Sequence, residues 1–210
     1  MSNDQNENEN DDSTTIKVIL LGETGVGKTS LINAYLGKRF SPNMESTLSP
    51  ESGRKIKEIK QKKYIIELWD TAGQEKYRSM NNIFIKGSKI VILVYSVVLQ
   101  SSFSELNYWV KTTKEILSNE TVYGIAGNKA DLIDDAIVPD EEGQKFAKDN
   151  GAIFCTTSAK EDSKGFQMFL NQLVEQYVEK NIDKDSKEKI GRKLSVKNAT
   201  NKKKKKKCCS

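Results

Sequence analysis

Eight consecutive residues, Gly22-Glu23-Thr24-Gly25-Val26-Gly27-Lys28-Thr29, follow an apolar run, Ile16 to Leu21, and lead into the helix-forming stretch Ser30 to Leu36. Glycines at this spacing let a backbone wrap so that several N–H groups face one anion, and a helix beginning there adds its positive end. Lys28 brings a full positive charge to the same place, and Thr29 a hard hydroxyl oxygen of the kind Mg²⁺ accepts. The strand-loop-helix setting is the one a phosphate-binding loop requires, so these residues imply a nucleoside triphosphate with Lys28 on its β- and γ-phosphates. The loop does not name the base.

Two further clusters bear on that choice. Asn128-Lys129-Ala130-Asp131 stands just beyond the apolar run Val122 to Gly127, and Ser158-Ala159-Lys160 just beyond Ala152 to Thr156. A carboxylate such as Asp131 can accept from both N–H donors on the Watson-Crick edge of guanine, a pair adenine does not present, and would be left buried and unpaired by ATP. A third cluster, Trp69-Asp70-Thr71-Ala72-Gly73-Gln74-Glu75, closes the run that begins at Tyr64. In order and spacing over roughly residues 16 to 180, these motifs resemble the signature of the Ras superfamily of small GTPases.

The resemblance implies residue roles. Glu23 through Ser30 would cradle the phosphates; Asn128 and the Ala159 N–H would address the other polar edge of guanine, with Lys129 lying along it, and Ser158 and Lys160 would complete the loop. Thr29 and Thr47 would ligate Mg²⁺, with Asp70 holding it through water. Phe40, seven residues before Thr47, would brace the base. Gly73 would turn its N–H onto the γ-phosphate, Gln74 would orient the attacking water, and Lys28 would share in catalysis. The cofactors implied are GTP or GDP and Mg²⁺. The chain departs from the pattern at Leu48-Ser49-Pro50-Glu51-Ser52, where relatives continue with an apolar residue, glycine and an extended segment ending in an aromatic, and at Thr24, where relatives often carry glycine or serine.

Positioning these groups requires alternating strands and helices. Ile16–Leu21, Tyr64–Trp69, Lys89–Tyr95, Val122–Gly127 and Ala152–Thr156 read as strands; Ser102–Leu117 and Phe166–Val178 repeat apolar residues at helical spacing. Near-continuous apolar strands such as Ile90 to Val94 belong in a sheet covered on both faces. Lys55 to Lys63 alternates Ile56 and Ile59 with charge and reads as the start of an antiparallel hairpin at an edge. The expected fold is therefore α/β, a phosphate-loop NTPase domain with a central mainly parallel sheet, helices on both faces and one antiparallel edge strand. The expected boundaries are a disordered acidic tail over 1–15, the GTPase domain over 16–180, and a flexible basic tail over 181–210.

Composition narrows the class further. The net charge is +5, but residues 1–15 hold five acids and no base, whereas 181–210 hold twelve Lys or Arg against three Asp or Glu. Three cysteines, two of them adjacent, cannot build a disulfide framework, and Cys155 in its apolar run reads as a reduced, buried thiol. No apolar stretch reaches the length of a membrane helix, and no signal peptide opens the chain.

Lys202 to Lys207 precede Cys208-Cys209-Ser210. A farnesyl-type box would need cysteine fourth from the end, where Lys207 stands. Twin terminal cysteines instead resemble the double prenylation signal of the Rab family, to which Glu75 to Met80 is also similar. The expectation is a Rab-like, monomeric GTP/GDP switch with slow hydrolysis in vesicle-mediated trafficking, the alternative being a GTP-binding scaffold with little hydrolysis. By resemblance its partners would be an exchange factor, a GTPase-activating protein, a prenylation escort and a GDP-dissociation inhibitor. The lysines would meet an anionic membrane rather than nucleic acid. The protein would sit on the cytoplasmic face of an intracellular or plasma membrane and cycle with the cytosol.

Overall fold

The computed structural model describes residues 14–42, 47, 51–71, 78–162 and 164–181, with the backbone alone for 78–81. The strands β1 (Thr14–Leu21), β2 (Glu51–Ile59), β3 (Lys62–Asp70), β4 (Ile90–Ser96), β5 (Val122–Asn128) and β6 (Ile153–Thr156) form one sheet in the order β2-β3-β1-β4-β5-β6. Every neighbouring pair is parallel except β2 with β3. The helices are α1 (Lys28–Tyr35), α2 (Arg78–Ile85), α3 (Gln100–Ser104), α4 (Leu106–Ile116), α5 (Asp140–Asn150) and α6, residues 164–181.

Apolar strands generate this arrangement. All seven residues of β4 are buried, as a central strand between two helical layers demands. On one face α1 and α6 cover the sheet, Leu31, Ile32 and Tyr35 meeting Phe166, Leu170 and Val174 over Val18, Leu20 and Ile92. On the other face Leu106 and Trp109 of α4 and Ala147 of α5 enclose Ile19, Val91 and Leu93. Each fully buried aliphatic side chain contributes about 1.5–3 kcal/mol.

The expected α/β architecture is the one observed, including the antiparallel edge: Ile56 pairs with Ile65 and Ser52 with Trp69. The hairpin turn uses Lys60 and Gln61, both left-handed at φ 50° and 64°, a two-residue turn built without glycine. Over Ser102–Leu117, expected as a single helix, α3 and α4 meet at Glu105, whose backbone stays right-handed helical with its N–H bonded to the Ser101 carbonyl at 3.0 Å. The Ser102 hydroxyl accepts from the Ser96 N–H at 3.0 Å and donates to the Leu99 carbonyl at 2.7 Å, tying the first turn to the end of β4. Helix α5 carries few apolar residues. In α5 only Gly143 and Ala147 are buried, yet Pro139 and three acids in its first turn mark the start. Cys155 is a free thiol, half-buried rather than buried.

Packing is close where α6 crosses β5. A Cβ built on Gly124 would stand 2.6 Å from Phe169 Cζ and 2.7 Å from Leu173 Cδ1. Gly124→Val is therefore expected to lower stability by about 1–3 kcal/mol through overpacking. Urea denaturation measures it, and an unchanged midpoint would show that α6 is not seated there.

Candidate functional site

The loop after β1 cannot be built from other residues. Gly22 has φ 151°, and a Cβ there would lie 2.1 Å from the Val94 carbonyl oxygen. Gly27, at φ 98°, would put a Cβ 2.3 Å from Asn128 Nδ2. The loop wraps around Lys28, whose Nζ donates to the carbonyls of Gly22 at 2.9 Å and Glu23 at 3.0 Å. Burial pushes the Lys28 ammonium down to about 8, against the opposing pull of the Asp70 and Glu23 carboxylates. A buried cation balanced this way gains from an anion placed beside it.

Next to it lies a cluster of three oxygens. Thr29 Oγ1 donates to Asp70 Oδ2 at 2.6 Å, Thr47 Oγ1 to the same oxygen at 3.2 Å, and the two hydroxyls are 2.8 Å apart. Asp70 is 4% exposed, and its burial raises the carboxyl above the usual range although Thr29 and Lys28 oppose this. Its second oxygen, Oδ1, is buried without a hydrogen-bond partner among the described residues, as is the Thr24 hydroxyl. An orphaned carboxylate oxygen beside two hydroxyls is a donor set suited to a hard cation. The Thr71 hydroxyl fixes the end of β3 by donating to the Leu20 carbonyl at 2.7 Å.

A second half of the site forms where β5 and β6 end. Asn128 is 1% exposed; its Nδ2 donates to the Val26 carbonyl at 2.8 Å, and its Oδ1 accepts from the Ala159 N–H at 3.1 Å. Lys129 adopts a left-handed φ of 67° and turns the chain toward Asp131. Ser158 Oγ donates to Asp131 Oδ1 at 2.6 Å while accepting from the N–H groups of Lys160 and Glu161. Lys160 Nζ stands 3.8 Å from Asp131 Oδ2. Each carboxylate oxygen retains acceptor capacity, so both remain able to take an N–H from a ligand.

Between the halves lies a cavity of about 310 Å³, within the size range of small-molecule sites. Thr24, Gly25, Gly27, Lys28, Thr29 and Ser30 line one end, Asn128, Lys129, Asp131, Ala159 and Lys160 the other, and Phe40 and Thr47 stand at its side. Four described residues named from the sequence do not line it. Glu23 Oε2 accepts from the Ser101 hydroxyl, Val26 is in the core, and Ser158 stands behind Asp131. Asp70 stands behind Thr29, from whose hydroxyl it accepts. Gly73 and Gln74 lie outside the described residues, as do Cys208, Cys209 and Lys202 to Lys207. Sequence reasoning missed Ser41, Pro42, Thr71 and Leu132, which also line the cavity; Thr71 and Leu132 directly follow Asp70 and Asp131, the only signal they offered.

Comparison with known proteins agrees with this geometry. The chain matches the Ras family model over residues 17–179. It is also similar to the Ras-related protein Rab-2B of Dictyostelium discoideum, 37% identical over 144 residues that span 69% of this chain and 71% of that protein.

The Asn128 contacts carry their own expectation. Asn128→Ala leaves the Val26 carbonyl and the Ala159 N–H without partners, each a loss of about 1–3 kcal/mol. Thermal unfolding of the nucleotide-free protein should show a clear drop in midpoint, whereas an unshifted midpoint would mean that the amide does not join the loops.

Proposed function

Because the chain belongs to the Ras family and is a small GTPase, we propose that it is a Rab-like GTP/GDP switch, Mg²⁺-dependent, slow in intrinsic hydrolysis and active in vesicle-mediated membrane trafficking. The observation that carries the reading is the two-ended cavity, with Lys28 at one end and the Asp131 carboxylate, 8% exposed, at the other.

In this reading the β- and γ-phosphates take the place of the Gly22 and Glu23 carbonyls as partners of Lys28. The backbone N–H groups of residues 25–29 and the start of α1 face the same charge. Guanine lies between Phe40 and Lys129, its N–H donors on Asp131. Asn128 supports the base chiefly by holding Val26 and Ala159, and Ser158 by orienting the Asp131 carboxylate. The Thr29 and Thr47 hydroxyls and Asp70 would hold Mg²⁺, which supplies charge neutralisation between the phosphates when bound. Among the described residues no three His, Cys, Asp or Glu side chains gather into a protein cage, and Mg²⁺ in phosphoryl-transfer sites does not require one.

Hydrolysis is water attack on the γ-phosphorus with GDP leaving through the bridging oxygen, and the protein's part is positioning and electrostatics. Gln74 would orient the water and the Gly73 N–H would hold the γ-phosphate. Among the described residues the cations lining the cavity are Lys28, Lys129 and Lys160, with no arginine. That composition supports slow intrinsic turnover, with an activating partner contributing an arginine worth on the order of 10³–10⁵ in rate. We further propose the regulators typical of such switches: an exchange factor, a prenylation escort and a GDP-dissociation inhibitor. No described helix is long and apolar enough to cross a membrane. Two lipid chains on Cys208 and Cys209 would supply the stable anchoring that one chain does not.

Two expectations test the reading. Asp131→Asn exchanges an acceptor for a donor and should shift preference from guanine toward xanthine nucleotides by about two orders of magnitude. Competition binding of GTP against XTP measures this, and undiminished GTP preference would overturn the base assignment. Gln74→Leu should leave GTP affinity intact while lowering single-turnover hydrolysis at least tenfold. Equal rates in variant and wild type would remove Gln74 from the chemistry.

A further inference from the structure

The β2–β3 hairpin carries more positive charge than its strands need. Between residues 54 and 63 stand Arg54, Lys55, Lys57, Lys60, Lys62 and Lys63 against one acid, Glu58. Four of these cations meet a carboxylate or a backbone carbonyl. Arg54 pairs with Glu67, Lys57 with Glu175 and Lys60 with Glu179, while Lys55 donates to the Tyr35 carbonyl. Lys62 and Lys63, at the start of β3, are exposed and form no ion pair among the described residues; the Lys62 ammonium lies 5.8 Å from the centre of the Tyr64 ring.

The same contacts locate the hairpin relative to the rest of the chain. Lys57 and Lys60 meet Glu175 and Glu179 of α6, each at 3.1 Å, so the described part of α6, which reaches Asn181, runs beside the hairpin turn. Only 26 residues, 182–207, separate Asn181 from Cys208, a covalent reach of at most about 90 Å. At the other end of β3, about 26 Å away along the strand, Asp70 accepts from Thr29 and the next residue, Thr71, lines the cavity. The basic turn and the cavity therefore occupy opposite ends of the sheet.

We propose that the hairpin turn, through Lys62 and Lys63 with Lys60 beside them, is a second contact with an anionic membrane surface that orients the domain with its nucleotide cavity away from the bilayer. This rests on the proposed anchoring through Cys208 and Cys209. The anchor alone fixes distance within its reach and leaves orientation free. Exposed charges feel a membrane only within about a Debye length, some 8 Å at physiological salt, so a compact cluster next to the root of the tail selects one face. Carboxylates oppose it: Glu58 on the hairpin, and the five acids of residues 1–13, which join β1 at Thr14 opposite Tyr64. Those acids weaken the contact and make its strength depend on lipid charge and salt.

The test couples the full GDP-loaded chain to vesicles carrying a maleimide lipid. Cys208 and Cys209 react, while the half-buried Cys155 thiol, pushed up to about 12 by burial, stays protonated. One vesicle set is phosphatidylcholine alone; the other adds about a quarter phosphatidylserine. Lysine acetylation read by mass spectrometry should fall on the order of fivefold at Lys62 and Lys63 on the anionic set, with Lys111 and Lys148 modified equally on both. Equal modification of Lys62 and Lys63 on the two sets overturns the proposal. So does protection already present in the free protein and relieved by removing residues 2–12, since that places the acidic segment on the hairpin. For the uncoupled chain, replacing Lys62 and Lys63 with Glu should weaken sedimentation with phosphatidylserine vesicles on the order of tenfold at an unchanged melting temperature; an unchanged partition also overturns it. Prenyl groups on the protein from cells are sought separately by mass spectrometry of the C-terminus, so failure of the anchor and failure of the hairpin contact give different results.

Discussion

The Asn128 carboxamide joins the loop after β1 to the loop after β6, accepting from Ala159 and donating to Val26 from a position 1% exposed. Three segments far apart in sequence meet through this one side chain. It also explains why residue 27 is glycine beyond its φ, since a Cβ there would overlap Asn128 Nδ2. The two ends of the cavity are thus set at a fixed separation before any ligand arrives. Such preorganisation lowers the ordering cost of binding a long ligand with polar groups at both ends.

That clamp works because of the sheet beneath it. β1, β3, β5 and β6 all point their C-terminal ends the same way, so the loops bearing Lys28, Asp70, Asn128 and Ser158 emerge on one side. In open parallel sheets ligands gather at this edge. Burial of β4 on both faces leaves its neighbours little freedom to shift, and the tight crossing at Gly124 locks α6, which begins just past Lys160, to β5. Core packing on one face consequently reaches the base end of the cavity through a single helix.

Much of this was legible in the sequence where the physical signal is local. Continuous apolar strands, the glycine spacing of 22–27 and the lysine-rich alternation of 55–63 each determine structure within a few residues. What stayed hidden depended on contacts distant in sequence. Nothing near Ser158 says that its hydroxyl serves Asp131, 27 residues earlier, and nothing near Asn128 reveals Val26, 102 residues away. The turn at Lys60 and Gln61 lacks the Asn-Gly or Asp-Gly signal, because pairing of the flanking strands imposes left-handed backbone on residues that do not favour it. Helix α5 was missed for the opposite reason, since it touches the sheet through Gly143 and Ala147, too small to register as an apolar stripe.

The strengths of these contacts also separate the parts that stay from the part able to exchange. Asn128 and Thr71 make their bonds in buried surroundings, where losing a partner strands the other group at about 1–3 kcal/mol. Thr47 is half-buried, and its hydroxyl meets Thr29 at 2.8 Å and Asp70 at 3.2 Å. The contact with the Thr29 hydroxyl contributes about 0.5–1.5 kcal/mol net, and the longer bond to the Asp70 carboxylate about 1.5–3 kcal/mol. Asp70 would keep its bond from Thr29 if Thr47 left, so no buried charge would be stranded by the departure. Under the proposed function, a γ-phosphate with Mg²⁺, present in one nucleotide state and absent in the other, would add a charge interaction and decide whether Thr47 is held. The firm anchors lie in the core elements, and the weaker one lies at the residue whose position would then report the ligand.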